Sequence, residues 1–182
     1  MMEFHISRNA RDRYKFAETL FSYTGNVVFA NMGACREFAH RMNQLCAMQV
    51  VEASTPMALE PGVIYIGKGG ADMVVVQRGG KLTVIAKPEN REFLWHPSVE
   101  LLGRSVLEHY DPGQVMAVML TGMGYDGADA FAEIRRRGGR TIAESEESSV
   151  VFGMPAELIK RGGASLTLHA EKISSQLLAW IK

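Results

Sequence analysis

Six uninterrupted apolar residues, Val115-Met-Ala-Val-Met-Leu120, run straight into Thr121-Gly-Met-Gly-Tyr-Asp-Gly127, a segment with three glycines and one carboxylate. A strand that faces water on one side alternates apolar with polar residues, so a run without alternation is covered on both faces. The shorter runs at Asn26–Ala30, Met48–Val51, Val63–Gly67 and Thr141–Ala143 read the same way. Between them lie stretches with helical spacing: 7–21, 35–46, 97–109 with Pro97 in the first turn, 127–137, 155–161 and 171–182. Strand–helix alternation of this kind predicts an α/β fold, a doubly wound and mainly parallel Rossmann-like sheet covered by helices on both faces. In the middle, Met73–Gln77 and Lys81–Ile85 flank Gly79-Gly80 and predict an inserted antiparallel hairpin.

With 182 residues and 47% apolar composition, the chain suits one domain over 1–182. Lys plus Arg and Asp plus Glu balance at 20 each, which points away from nucleic acid and from anionic membrane surfaces. No window approaches a membrane span, and the N-terminus does not read as a signal peptide. Cys35 and Cys46 lie on one helical stretch, too far apart for a disulfide, so a reduced, cytoplasmic protein is expected. No His/Cys spacing suits a metal, and no cofactor is expected. Composition leaves the oligomeric state open.

Sites in open α/β sheets form beyond the carboxyl ends of the strands, which singles out the loop from Thr121 to Asp126. Two readings of Asp126 stand side by side: an acid holding a histidine, or a cap for the helix that follows it. A second loop, Glu147-Ser-Ser-Val-Val-Phe-Gly-Met-Pro-Ala156, again opens a helix through a Gly-x-Pro junction. Met123 and Met154 are candidates for an apolar pocket beside these loops. Glu144, Glu146 and Glu147 read as a solvent-exposed acidic loop, and Arg135-Arg-Arg137 as cations in the last turn of a helix.

Taken together, "LTGMGYDGA", "GGRTIAE", "SSVVFGMP", "LEPGVIYIGKGG" and "HPSVELLGRS" resemble the catalytic domain of the chemotaxis protein-glutamate methylesterase (CheB) family, from about Asn26 onward. The resemblance implies a serine hydrolase that removes methyl esters from receptor glutamates and deamidates receptor glutamines through a Ser-His-Asp triad. It makes Asp126 the triad acid, which accepts the imidazole N–H. It makes Thr121, Gly122, Met123, Gly124, Gly153, Met154, Pro155 and His96 site-lining residues, and a chemoreceptor-like or other signalling protein the partner.

Two family features are replaced. Asn31 stands where the family has histidine, and a carboxamide cannot take and return a proton near neutral pH. Ser7 holds the nucleophile's place in chain order, yet Arg-Asn-Ala follows it instead of the family's glycine pair; Ser7 reads first as a helix cap. Ser54, in Ala53-Ser-Thr-Pro56, follows the wrong strand and reads as a loop residue. No receiver domain is expected within the chain. Three functions therefore stand open: a weak methylesterase/deamidase, a non-catalytic relative that binds a receptor or signalling partner, and a small-molecule-binding α/β domain.

Overall fold

The structure, a computed structural model, describes residues 2–6, 26–30, 35–46 and 48–181, with side chains from 36 onward. Along the chain lie β1 (Met2–Ile6), β2 (Asn26–Ala30), α1 (Cys35–Leu45), β3 (Gln49–Ala53), β4 (Met57–Ala58), β5 (Val63–Gly67), β6 (Asp72–Arg78) and β7 (Lys81–Lys87). There follow α2 (Val99–His109), a 3-10 turn (Pro112–Gln114), β8 (Val115–Met119), α3 (Ala128–Arg136), β9 (Arg140–Glu144), α4 (Met154–Lys160), β10 (Leu166–Leu168) and α5 (Ala170–Ile181). The predicted helix over 7–21, with Ser7 as its cap, lies outside the described residues.

Seven strands form one sheet in the order β10-β9-β8-β1-β2-β5-β3, and each neighbouring pair is parallel. From β1 the chain passes to β2, goes out to the edge strand β3 and comes back to β5 between the two; it then crosses to β1's other side and builds outward through β8, β9 and β10. The strand order reverses between β1 and β8. A crevice opens beyond the carboxyl ends at such a reversal, because the connections leaving the two strands diverge to opposite faces. The loop carrying Asp126 leaves β8 at this place.

The apolar run in β8 is explained by its two faces. Val115, Ala117 and Met119 enter one core cluster with Leu102, Phe131, Ile134 and Leu158. Met116, Val118 and Leu120 enter another, with Phe38, Met42, Ile173 and Leu177. Helices α2, α3 and α4 thus cover one face while α1 and α5 cover the other, and every residue of β8 is buried. No position in the strand is left where a polar side chain would reach water.

The inserted hairpin is confirmed as β6–β7, antiparallel from Asp72↔Lys87 to Arg78↔Lys81, with β4 added to make a three-stranded sheet. Its inner residues Met73, Val75 and Val84 join the core beneath α2. Helix α2 also serves the backbone of β6: the Val75 N–H donates to Ser105 Oγ at 2.9 Å, and that hydroxyl donates to Leu102 O at 2.7 Å. Ser105→Ala leaves a buried N–H without its acceptor and is expected to cost about 1–2 kcal/mol in chemical denaturation. An unchanged midpoint would show that β6 does not depend on this bond.

Helix α2 begins two residues later than the sequence reading placed it, which leaves Pro97 outside its first turn. Ser98 is the N-cap of α2, its Oγ accepting the Leu101 N–H at 3.2 Å, and Pro97 precedes the cap across a cis peptide bond. The arginine cluster, with Arg140 of β9, does more than complement its own helix. Arg135, Arg137 and Arg140 donate to Gly162 O, Leu107 O and Trp180 O, carbonyls at the ends of α4, α2 and α5.

Candidate active site

Ile6 lies opposite both Ala30 and Met119, so β1, β2 and β8 end level with one another. Ser7 and Asn31 directly follow Ile6 and Ala30 in the chain and lie outside the described residues. What is described is the third side of this place, the loop from Thr121 to Gly127.

Asp126 is buried, and it does not cap the helix that follows it. The N-cap of α3 is Gly127, at φ +82° and without a side-chain cap. The Asp126 carboxylate instead reaches the start of α2: Oδ2 accepts the Val99 N–H at 2.8 Å, while Oδ1 accepts the Glu100 N–H at 3.0 Å and the Ser98 hydroxyl at 3.1 Å. Glu100 returns the arrangement, since its Oε2 accepts the Ala130 N–H in the first turn of α3 at 2.9 Å. Each helix therefore has its exposed N–H groups, and the positive end of its dipole, met by a carboxylate from the other. A Cβ on Gly103 of α2 would stand 2.6 Å from the Ala130 Cβ of α3, so the two helices approach where a larger side chain has no room.

Burial pushes the Asp126 carboxyl above its ordinary value; the Val99 and Glu100 amides and the Ser98 hydroxyl pull it back, and Glu100 pushes it up again. A carboxylate offers about four acceptor positions. The described donors take three of them.

The loop is held from the other side by β9. Glu144 is fully buried, a correction to the reading of an exposed acidic loop, although Glu146 and Glu147 are exposed as expected. Its burial follows from its partners: Oε2 accepts the Thr121 N–H at 2.7 Å and Oε1 the Ser148 hydroxyl at 2.8 Å. Beyond it the two motif loops pair. Gly122 N–H donates to Val151 O at 3.0 Å, Val151 N–H to Thr121 Oγ1 at 2.8 Å, and Met154 N–H to Gly122 O at 2.8 Å. A Cβ on Gly153 would lie 2.7 Å from Gly122 O, so glycine is required by the close approach of two backbones. The two methionines part ways: Met154 is buried beneath Gly122, whereas Met123 is 64% exposed at the tip.

His96 does not join Asp126. Its Nδ1 lies 2.9 Å from Asp72 Oδ1, and this buried carboxylate also accepts the N–H groups of Ser98 at 2.9 Å and Asn90 at 2.7 Å. The bond to Asp72 raises the His96 pKa above 6.5; burial opposes this, and the charges of Asp72, Glu89 and Asp126 reinforce it. A raised histidine pKa contributes stability that is complete below the unfolded value and is lost as pH rises through the folded one. The stability gap between the wild type and His96→Ala should therefore be full below the ordinary histidine value and shrink as the pH rises above it, through the raised folded value. Parallel denaturation curves check this, and a gap independent of pH would contradict it.

Of the residues expected at the site, Thr121, Gly122, Met123, Gly124, Asp126 and Gly153 belong to the paired loops at the ends of β8 and β9, and Met154 and Pro155 open α4 directly after them. His96 belongs to the neighbouring strap, where Trp95 packs edge-on against Tyr125 with ring centroids 5.3 Å apart. Four residues that fix this geometry were missed: Asp72, Ser98, Glu100 and Glu144. Ser98 carried a usable signal, a hydroxyl just before a helical run. Among the described residues, no group of three or more His, Cys, Asp or Glu could hold a metal ion, and no helix is long and apolar enough to cross a membrane.

A doubly wound sheet whose reversal point carries a buried aspartate on a glycine-rich loop defines an α/β domain with its site at the strand ends. Comparison with known proteins makes the class specific. The chain belongs to the CheB methylesterase family, whose model matches residues 26–177. It is 56% identical over 144 residues to protein-glutamate methylesterase/protein-glutamine glutaminase 3 of Rhodospirillum rubrum, covering 79% of this chain and 39% of the relative. It is 40% identical over 149 residues to protein-glutamate methylesterase FrzG of Myxococcus xanthus, covering 82% and 43%. The crystal structure of the Thermotoga maritima CheB methylesterase catalytic domain superposes with a TM-score of 0.89 at 27% identity, over 98% of this chain and 96% of that one. The resemblance and fold read from the motifs are thereby confirmed, and the chain spans about two fifths of the length of the curated relatives it matches.

Proposed function

We propose that residues 1–182 form one CheB-type domain that receives a chemoreceptor-type glutamyl ester or glutamine side chain at the strand-end crevice, in the cytoplasm, and hydrolyses it feebly or not at all. The observation that carries this reading is Asn31, which follows the last residue of β2 where the family has its histidine. The scaffold around Asp126 supports retained binding. Its carboxylate is held by Ser98, Val99 and Glu100, and its loop by Glu144 and Val151.

Acyl transfer at a serine needs a base to take the hydroxyl proton and return it to the leaving group. With no imidazole at that position, an aspartate beside it has nothing to orient. A serine-reactive fluorophosphonate probe tests the reading directly. Labelling absent at Ser7 is the expected result, and stoichiometric labelling at Ser7 would establish an activated nucleophile and overturn it.

A further inference from the structure

Between β7 and α2 the chain passes through 88–98 with neither helix nor strand, and one buried side chain holds both ends of this strap. Asp72, at the start of β6 and 1% exposed, accepts the Asn90 N–H through Oδ2 at 2.7 Å and the Ser98 N–H through Oδ1 at 2.9 Å. The same Oδ1 lies 2.9 Å from His96 Nδ1. Three groups of the strap therefore converge on a single carboxylate, whose burial as an anion depends on them.

The strap in turn lies on the loop of Asp126. Ser98 donates its hydroxyl to Asp126 Oδ1 at 3.1 Å, the Trp95 ring stands edge-on to Tyr125 with centroids 5.3 Å apart, and a Cβ on Gly124 would fall 2.7 Å from that ring. Whatever fixes the strap thus bears directly on the loop at the strand ends.

The charges that face His96 are all negative: Asp72 on β6, Glu89 on the strap and Asp126 on the β8–α3 loop. Lys87, opposite Asp72 in the β6–β7 ladder, is exposed, and the one ion pair of Asp72 among the described residues is with His96. A protonated imidazole supplies the counter-charge and makes the bond to Asp72 a charge-assisted one, roughly twice as strong as its neutral counterpart. A neutral ring keeps a donor at Nδ1 but leaves the carboxylates around it without a cation. The His96 side chain is 15% exposed, so its proton reaches solvent without unfolding of the domain.

We infer that His96 and Asp72 form a proton-sensitive clasp, which pins the 88–98 strap onto the Asp126 loop while His96 is charged and loosens it once the proton leaves. Because the Asp72 bond lifts the His96 pKa above 6.5, the clasp is fully closed below that ordinary value and opens as the pH rises through the raised one. It acts whether or not the crevice turns over a substrate, so its test needs no activity.

The chain has two tryptophans, and Trp180→Phe leaves Trp95 as the sole reporter on the strap. Its bimolecular quenching constant with acrylamide is taken from fluorescence lifetimes, so that direct quenching by the imidazolium drops out. The constant should rise by at least about twofold from the low-pH to the high-pH side of the His96 titration. In His96→Gln, which offers a neutral donor that cannot titrate, it should stay at the high-pH value throughout. Proton NMR of the His96 ring, assigned by its loss in His96→Gln, gives the midpoint that the quenching change should share. A constant that ignores pH, a pH-dependent change that survives in His96→Gln, or a midpoint apart from that of His96 would each overturn the inference. Thermal melts at both ends of the pH range establish that every variant is folded, which separates opening of the strap from loss of the domain.

Discussion

Replacing Asp126 with alanine is expected to destabilise the fold by about 3 kcal/mol, enough to lower the melting temperature of a domain this size by roughly 6–12 °C. Three donors lose their acceptor at once: the Val99 and Glu100 amides and the Ser98 hydroxyl. Each buried donor left unsatisfied costs about 1–3 kcal/mol. Part of that sum is returned, because the wild type already carries the cost of burying this carboxylate, the same cost that holds its pKa high. Asp126→Asn should fall in between, since it keeps one acceptor oxygen and turns an N–H₂ toward the other donor. Melting curves decide the matter. An aspartate whose only task was to orient a histidine would be removable without moving the transition, and that outcome would refute the capping role.

Gly127→Ala should cost as much or more, at about 2–5 kcal/mol. Two effects add. At φ +82° a side chain strains the backbone by about 1–2 kcal/mol. The new Cβ would also stand 2.1 Å from Val99 Cγ1 and 2.9 Å from Val99 Cβ, and overpacking of this kind costs about 1–3 kcal/mol. Val99 has little freedom to yield, being β-branched, buried and in the first turn of α2. Gly138 provides the control: its φ is +94°, yet nothing lies within 4 Å of its Cβ position. Gly138→Ala should show the backbone cost alone. Equal losses at the two sites would mean that the close approach of α2 and α3 contributes nothing.

These two residues also show where a sequence stops being informative. The unbroken run at 115–120 revealed a doubly covered strand because its pattern is local to one element, and the structure fills both faces as that pattern requires. The glycines and the acid after it marked the site loop for the same reason. What could not be read was which groups Asp126 holds. Ser98 bonds to carboxylates 26 and 28 positions away in the chain, Asp72 and Asp126, and no local pattern carries information over that distance. The cap reading of Asp126 is therefore corrected, since a cap was expected for its own helix and is found on another.

Glu144 fails for a related reason. Read as one of three acids in a loop, it looked solvated, yet it ends β9 beside the start of the neighbouring loop and takes the Thr121 N–H inside the fold. Burial of a charge depends on donors that arrive from elsewhere in the sheet, and composition does not contain them. Ser98 is the opposite case: the hydroxyl that opens α2 was legible as a cap, and weight given to Pro97 concealed it.

The central claim concerns chemistry at the strand ends: the family's scaffold is kept around Asp126 while the proton-transfer group is replaced by Asn31. Methanol release from a peptide bearing a γ-methyl glutamate measures this directly, with the chain and its Ser7→Ala variant run beside a relative that has a complete triad. The account predicts release at least about a thousandfold slower than that relative and unchanged by Ser7→Ala. Release within about tenfold of the relative, abolished by Ser7→Ala, would contradict it.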